Sequence, residues 1–152
     1  MGSMAEARCD CGFEKRLSLG GGMHNFLTNC SFPCYCSDCK SMFSANLYSE
    51  SLVCAKCSSQ NVLAYDDDSL RIKTPDLEPE LLPIRYRAQT LWEKILRRKP
   101  EMIQEYYQPT KNIFDWNSSD ILDRNPALTY EDYFCPSCEK YSMKFYIVGC
   151  WD

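Results

Sequence analysis

Eight of the eleven cysteines fall in close pairs, and the pairs are spaced for metal chemistry. Cys36-Ser-Asp-Cys39 is followed after fourteen residues by Cys54-Ala-Lys-Cys57. Two thiolates three positions apart reach one tetrahedral ion when the backbone folds into a tight knuckle, and a second knuckle completes a four-sulfur shell. These four cysteines are therefore expected to hold a zinc ion. Four thiolates fill the tetrahedron and leave no position for the water that a catalytic zinc requires, so the site is expected to be structural.

Two further pairs need partners, because one knuckle cannot hold zinc tightly. Cys9-Asp-Cys11-Gly12 has a one-residue spacer, and Gly12 permits the positive φ that such a turn needs. Cys135-Pro-Ser-Cys138 lies near the other end. The preferred arrangement joins Cys9 and Cys11 to Cys135 and Cys138, stapling one terminal region to the other. A rival arrangement closes Cys9 and Cys11 locally over Cys30 and Cys34, leaving Cys135 and Cys138 to seek Cys150 or His24. Two zinc ions are expected, one at minimum. In the preferred scheme Cys30, Cys34 and Cys150 are spare thiols, and nothing around them has the strand–Cys-x-x-Cys–helix context of a redox centre. His24 is the only histidine. Its spacing to any cysteine pair matches nothing specific, and a surface or packing role is expected.

The stretch from about residue 30 to 65 resembles the zinc ribbon, a family of small β-folds built on two knuckles. Between the knuckles, Met42 to Tyr48 alternates loosely, Ser49-Glu50-Ser51 makes a polar turn and Leu52-Val53 leads back, which suits a hairpin. Val62-Leu63-Ala64-Tyr65 supplies a third strand. The resemblance implies metal binding, less surely at the terminal pairs. It implies little about function, because zinc ribbons serve transcription proteins, ribosomal proteins, enzyme appendages and docking modules.

The elements around these sites read as follows. Phe13 to Leu19 alternates as a strand, with Phe13, Leu17 and Leu19 on one face. Gly20-Gly21-Gly22 lacks any phosphate-loop register and is expected to be a tight connection. Met23 to Leu27 is expected to form a return strand. Asp66-Asp67-Asp68 reads as a solvated turn, and residues 66–83, with three prolines, as a linker. From Ile84 or Tyr86 onward, Ala88, Leu91, Trp92, Ile95 and Leu96 sit at amphipathic-helix spacing. Pro100 opens a shorter companion with Met102, Ile103, Tyr106 and Tyr107 as its buried positions, so residues 84–108 are expected to be helical. A polar loop region follows over 109–130, where Ser118-Ser119-Asp120 caps a single helical turn. A knuckle plus strand then closes the chain over 131–152, with Lys144 to Val148 in the strand. The expected fold class is α+β: zinc-stabilised antiparallel ribbons with one main amphipathic helix and a shorter helix, in a single compact domain over 4–152. Met1-Gly2-Ser3 reads as a cloning remnant.

Composition narrows function further. The net charge is −4, yet Ile84 to Lys99 carries six basic residues and one acidic, a local +5 that leaves −9 elsewhere. An acidic chain argues against wholesale coating of nucleic acid. The first residues are charged and polar, so no leader segment is expected, and no apolar run approaches the length of a membrane span. Repeated Cys-x-x-Cys spacing with an odd cysteine count points to reduced thiols and a cytoplasmic setting. No catalytic residues are assigned. The leading expectation is a non-catalytic protein-interaction module: an adaptor, inhibitor or regulatory subunit. The alternative is a nucleic-acid-binding ribbon protein using Arg85, Arg87, Lys94, Arg97 and Arg98, with Lys40 and Lys56 at the knuckles. A third class is an enzyme or thiol-redox protein whose site forms only in the fold.

Overall fold

The computed structural model describes residues 2–25, 27–73, 112–116 and 125–151, and between them 80–81, 85–86, 88, 90, 95–96, 99, 102–103 and 106–107. The chain divides into two units. One comprises Met1–Thr74 with Lys111–Asp152, and the other Pro75–Thr110.

In the larger unit, β1 (Gly2–Cys9), β2 (Glu14–Leu19), β3 (Ser31–Cys36), β4 (Ser41–Asn46), β5 (Val62–Ala64) and β6 (Arg71–Ile72) come first. In the smaller unit β7 (Glu80–Leu81) pairs with β10 (Tyr106–Tyr107), and β8 (Arg85–Tyr86) with β9 (Met102–Ile103). The larger unit resumes with β11 (Asn112–Asp115), β12 (Ala127–Thr129), β13 (Asp132–Phe134) and the long β14 (Tyr141–Trp151). Two antiparallel sheets carry all eight paired cysteines. One is five-stranded in the order β2-β1-β14-β13-β6, the other three-stranded in the order β4-β3-β5, while β11 and β12 form a separate pair.

The core lies between the sheets, and the period of two along each strand decides who enters it. Ala5 and Ala7 of β1 and Leu17 and Leu19 of β2 point inward, while Glu14 and Arg16 face out. The centre of the large sheet thus offers small side chains, and the rings of Tyr65, Tyr133 and Phe145 fill the space in mutual edge contact, centroids 4.9 to 6.1 Å apart. Burying a ring such as Phe32 or Phe145 contributes roughly 1.5–3 kcal/mol. The sheets meet where β2 reaches β3 and β4. Gly20 and Ser31 exchange backbone hydrogen bonds of 2.7 and 3.0 Å, and the Ser18 N–H donates to Ser44 Oγ at 3.1 Å. Gly20 has φ +71, and a Cβ there would lie 2.5 Å from the Trp116 ring. Glycine is required on both counts.

The fold corrects several sequence expectations. Nearly all of the regular structure among the described residues is antiparallel β-strand, so the α+β class with a main amphipathic helix does not hold. At the ends of the expected helical segment, Arg85–Tyr86 and Met102–Ile103 pair as strands, and Tyr106–Tyr107 pairs with β7. The reason is physical: short runs rich in tyrosine, isoleucine and methionine satisfy a helical period by chance, while partners far along the chain supply a ladder. Leu91, Trp92 and much of the expected helix interior lie outside the described residues, as does the expected turn at Ser118–Asp120. Met23 to Leu27 is no return strand. Its described residues form turns closed by Asn25 accepting from the Thr28 and Asn29 N–H groups. Asn112–Asp115 and Ala127–Thr129, read as loop, are strands. Gly2 and Ser3 take part in β1, opposite Trp151 and Cys150. A turn is present at Asp66–Asp68, but only Asp68 is exposed while Asp66 and Asp67 are half-buried, and Asp67 caps a 3-10 turn over Asp68–Leu70 through the Ser69 N–H.

Candidate metal centres

The structure brings eight cysteines into two groups of four, Cys36, Cys39, Cys54 and Cys57 (site 1) and Cys9, Cys11, Cys135 and Cys138 (site 2), the ligand atoms of each within 4.8 Å of one another. Each pair lies where a strand turns. In site 1 the first knuckle joins β3 to β4, and the second leads into β5. In site 2 the first joins β1 to β2, and the second joins β13 to β14. The ribbon hairpin therefore differs from the expected one. Residues 41–46 pair backwards with 31–36 across the knuckle, rather than with Leu52-Val53, and β5 pairs on the other side of β3.

All four turns share one backbone device. The residue immediately after the second cysteine has positive φ in every knuckle: Gly12 at 88°, Lys40 at 50°, Ser58 at 58° and Glu139 at 58°. That left-handed step turns the chain back so that both sulfurs face the same point. The second knuckles of the two sites match in hydrogen bonding. The Cys54 N–H donates to the Ser59 carbonyl (2.8 Å) and the Ser58 N–H to Cys54 (2.8 Å); the Cys135 N–H donates to Lys140 (2.8 Å) and the Glu139 N–H to Cys135 (2.9 Å). The Cys9 turn has the same form shortened by its missing spacer: the Cys9 N–H donates to Phe13 and the Gly12 N–H to Cys9, both at 2.9 Å.

The sulfurs interleave in the same sense in both groups, the first cysteine of one pair against the second of the other. Cys36 lies 3.6 Å from Cys57 and Cys39 3.5 Å from Cys54, while Cys9 lies 3.7 Å from Cys138 and Cys11 3.8 Å from Cys135. A zinc ion with Zn–S bonds of about 2.3 Å sets sulfurs about 3.8 Å apart on a tetrahedron's edges. A disulfide would bring them to about 2.05 Å. The donor set and spacing thus fit one Zn2+ per group, two in all, with each ion enclosed by sulfur.

Each site also carries a serine, placed by the strand that leaves a knuckle. Ser41 Oγ lies 2.9 Å from Cys39 Sγ and 3.7 Å from Cys54 Sγ. Ser142 Oγ lies 3.2 Å from Cys9 Sγ and 4.0 Å from Cys138 Sγ. Both hydroxyls touch one sulfur from each pair, the position of an outer-shell donor that orients ligands. Burial raises the Cys54 thiol, but backbone N–H donors at Lys56 and Cys57, with Ser41, outweigh it and bring the group down to about 6. At Cys135 burial prevails over the Cys138 and Ser137 N–H donors and pushes the thiol up to about 12. A divalent cation at the centre would offset the repulsion among four thiolates and draw off the remaining protons.

The rival set of Cys9, Cys11, Cys30 and Cys34 is not brought together. Cys30 and Cys34 are fully buried in the core, and burial pushes the Cys30 thiol to about 12. Cys150 is exposed on β14. His24 sits in an exposed turn and joins neither group. Arg85 lies in β8, while Arg87, Lys94, Arg97 and Arg98 lie outside the described residues. Lys40 and Lys56 are exposed at knuckles of site 1. Sequence reasoning missed Ser41, Ser142 and the left-handed positions Lys40, Ser58 and Glu139. Their signal was the place directly or shortly after a Cys-x-x-Cys pair.

Comparison with protein-family models, with curated proteins and with solved structures found no match. The likeness to a zinc ribbon rests on the two four-cysteine clusters themselves. Among the described residues no helix is long and apolar enough to cross a membrane.

Proposed function

We propose that this chain is a structural-zinc protein, working in the cytoplasm, that docks onto another protein as an adaptor, inhibitor or regulatory subunit. The observation that carries the reading is the closed geometry of both sites. Eight sulfurs on four like turns leave neither ion an open position, so the metals hold the scaffold and do no chemistry. The scaffold presents a surface suited to protein contact. An open groove of about 520 Å³ reaches site 2 at Cys9 and Ser142 and is otherwise lined by Tyr141, Tyr146, Arg8, Lys144, Asp10 and Asp132. Arg8 lies over the Tyr146 ring, 5.6 Å from its centroid. Further along β14, Ile147 and Val148 are 39% and 43% exposed. Aromatic side chains and arginine are what protein interfaces enrich.

The test is recovery of the full chain from its host with whatever it binds, in high salt and after nuclease treatment. A stoichiometric protein partner that survives both, and is lost with Tyr146→Lys while both zinc ions remain, is the expected result. Association that vanishes with salt or nuclease would overturn the docking reading in favour of nucleic acid.

A further inference from the structure

The two metal centres lie in one unit, and their knuckles touch. The knuckle Cys36–Cys39 of site 1 faces the knuckle Cys135–Cys138 of site 2 at corresponding positions. Immediately before the first cysteine, Tyr35 and Phe134 meet ring edge to ring face with centroids 5.3 Å apart. Immediately after the second cysteine, Lys40 Nζ forms an ion pair with the Glu139 carboxylate. These last two are also the left-handed residues that set the turn in each knuckle. A third tie comes from the strand leaving site 1: the Tyr65 hydroxyl donates to the Phe134 carbonyl at 3.1 Å. The tyrosine is wholly buried, so its hydroxyl depends on that acceptor.

We propose that zinc binding at the two sites is positively coupled through this knuckle-to-knuckle contact, with Lys40 and Glu139 as positioning residues. An ion at either site fixes its knuckle in the turned form. That form carries Tyr35 and Lys40, or Phe134 and Glu139, to where the other knuckle needs them. The second ion then orders less backbone than the first. Such coupling is reciprocal by thermodynamic necessity: whatever site 1 does for site 2, site 2 does for site 1. The chain would fill and empty as a pair, a device that favours the fully loaded fold when zinc is scarce. The inference rests on the two sites holding metal and is independent of the docking role.

The test is charge reversal with repair, read as stepwise zinc affinity by chelator competition and native mass spectrometry. Both side chains are more than half exposed, so the ion pair alone is a modest contributor. Lys40→Glu should weaken zinc binding at both sites, by about two- to fivefold each. The double reversal Lys40→Glu, Glu139→Lys should restore it. In a Cys135→Ser, Cys138→Ser background, Glu139→Lys should leave the zinc affinity of site 1 unchanged, since the knuckle that carries Glu139 no longer holds metal. A loss confined to site 1, or one the double reversal fails to repair, would overturn the proposal. Should the serine background not fold, the single and double reversals decide alone.

Discussion

The two metal centres are alike in ligand type, turns and interleaving, and differ in how much chain they close. In site 1 Cys39 and Cys54 are 15 positions apart; in site 2 Cys11 and Cys135 are 124 apart. Joining the ends of the longer loop costs about 2 kcal/mol more in chain entropy by logarithmic scaling. Site 1 therefore resembles a local clip within a three-stranded ribbon. Site 2 fastens distant parts of the chain, and its burden is shared by the β1–β14 ladder, which runs from Gly2 opposite Trp151 to Cys9 opposite Met143. Identical coordination chemistry thus does two jobs, and loop length separates them.

Removing the metals unequally is the strongest way to break this contrast. Cys135→Ser with Cys138→Ser and Cys54→Ser with Cys57→Ser should each remove one zinc. Urea unfolding at fixed free zinc should show the site 2 variant destabilised by about 2 kcal/mol more. Equal losses would mean that the β1–β14 ladder, not the ion, closes the long loop.

The joint between the halves comes next. Gly20→Ala should destabilise by about 1–3 kcal/mol, because the new methyl meets the Trp116 ring in a left-handed backbone. Trp116 is further held by donating to the Tyr48 hydroxyl at 2.8 Å, so it has little freedom to retreat. A neutral result would show that the sheets adjust to each other more freely than their packing implies.

The shared turn predicts opposite signs at the two sites. Gly12→Ala in site 2 meets nothing within 4 Å, so it isolates the cost of a side chain at φ +88, about 1 kcal/mol destabilising. Ser58→Gly in site 1 relieves the same strain and should stabilise by up to about 1 kcal/mol. Both are read by denaturant midpoint in the zinc-loaded protein. Effects of the same sign would dismiss the left-handed step as the common device.

The smallest effect concerns pH. Glu6 on β1 is buried among charges, with Arg16 and Arg8 holding its carboxyl below the usual value of 4.5. A carboxylate whose folded pKa is depressed stabilises fully above the unfolded pKa and loses that contribution as pH falls through the folded value. Glu6→Gln should therefore lower the unfolding midpoint at neutral pH, and the gap from the parent should begin to close only below about pH 4.5, vanishing once pH has passed the lower, folded value. A pH-independent difference would assign the effect to packing.

The sequence made the metal chemistry legible and the sheet topology much less so. Cys-x-x-Cys is a local signal because the ligands and the turn that aims them occupy one stretch of backbone. The same holds for the buried face of β2 at Leu17 and Leu19 and for the third ribbon strand at Val62–Ala64. What failed was non-local. Whether Arg85–Tyr86 starts a helix or a strand depends on Met102–Ile103, and no period within residues 84–99 carries that information. Asn112–Asp115 looked like loop because its ladder partner is Ala127–Thr129, across a polar stretch. The left-handed positions at Lys40, Ser58 and Glu139 were hidden because lysine, serine and glutamate rarely mark such backbone, whereas Gly12 does.

All eight knuckle sulfurs, and nothing else, are expected to enclose two zinc ions. Zinc K-edge absorption on protein whose metal content is counted by native mass spectrometry tests it most directly. Two ions per chain and a single shell of four sulfurs at about 2.3 Å are the expected result. One ion per chain, or a nitrogen or oxygen ligand in the averaged shell, would contradict it.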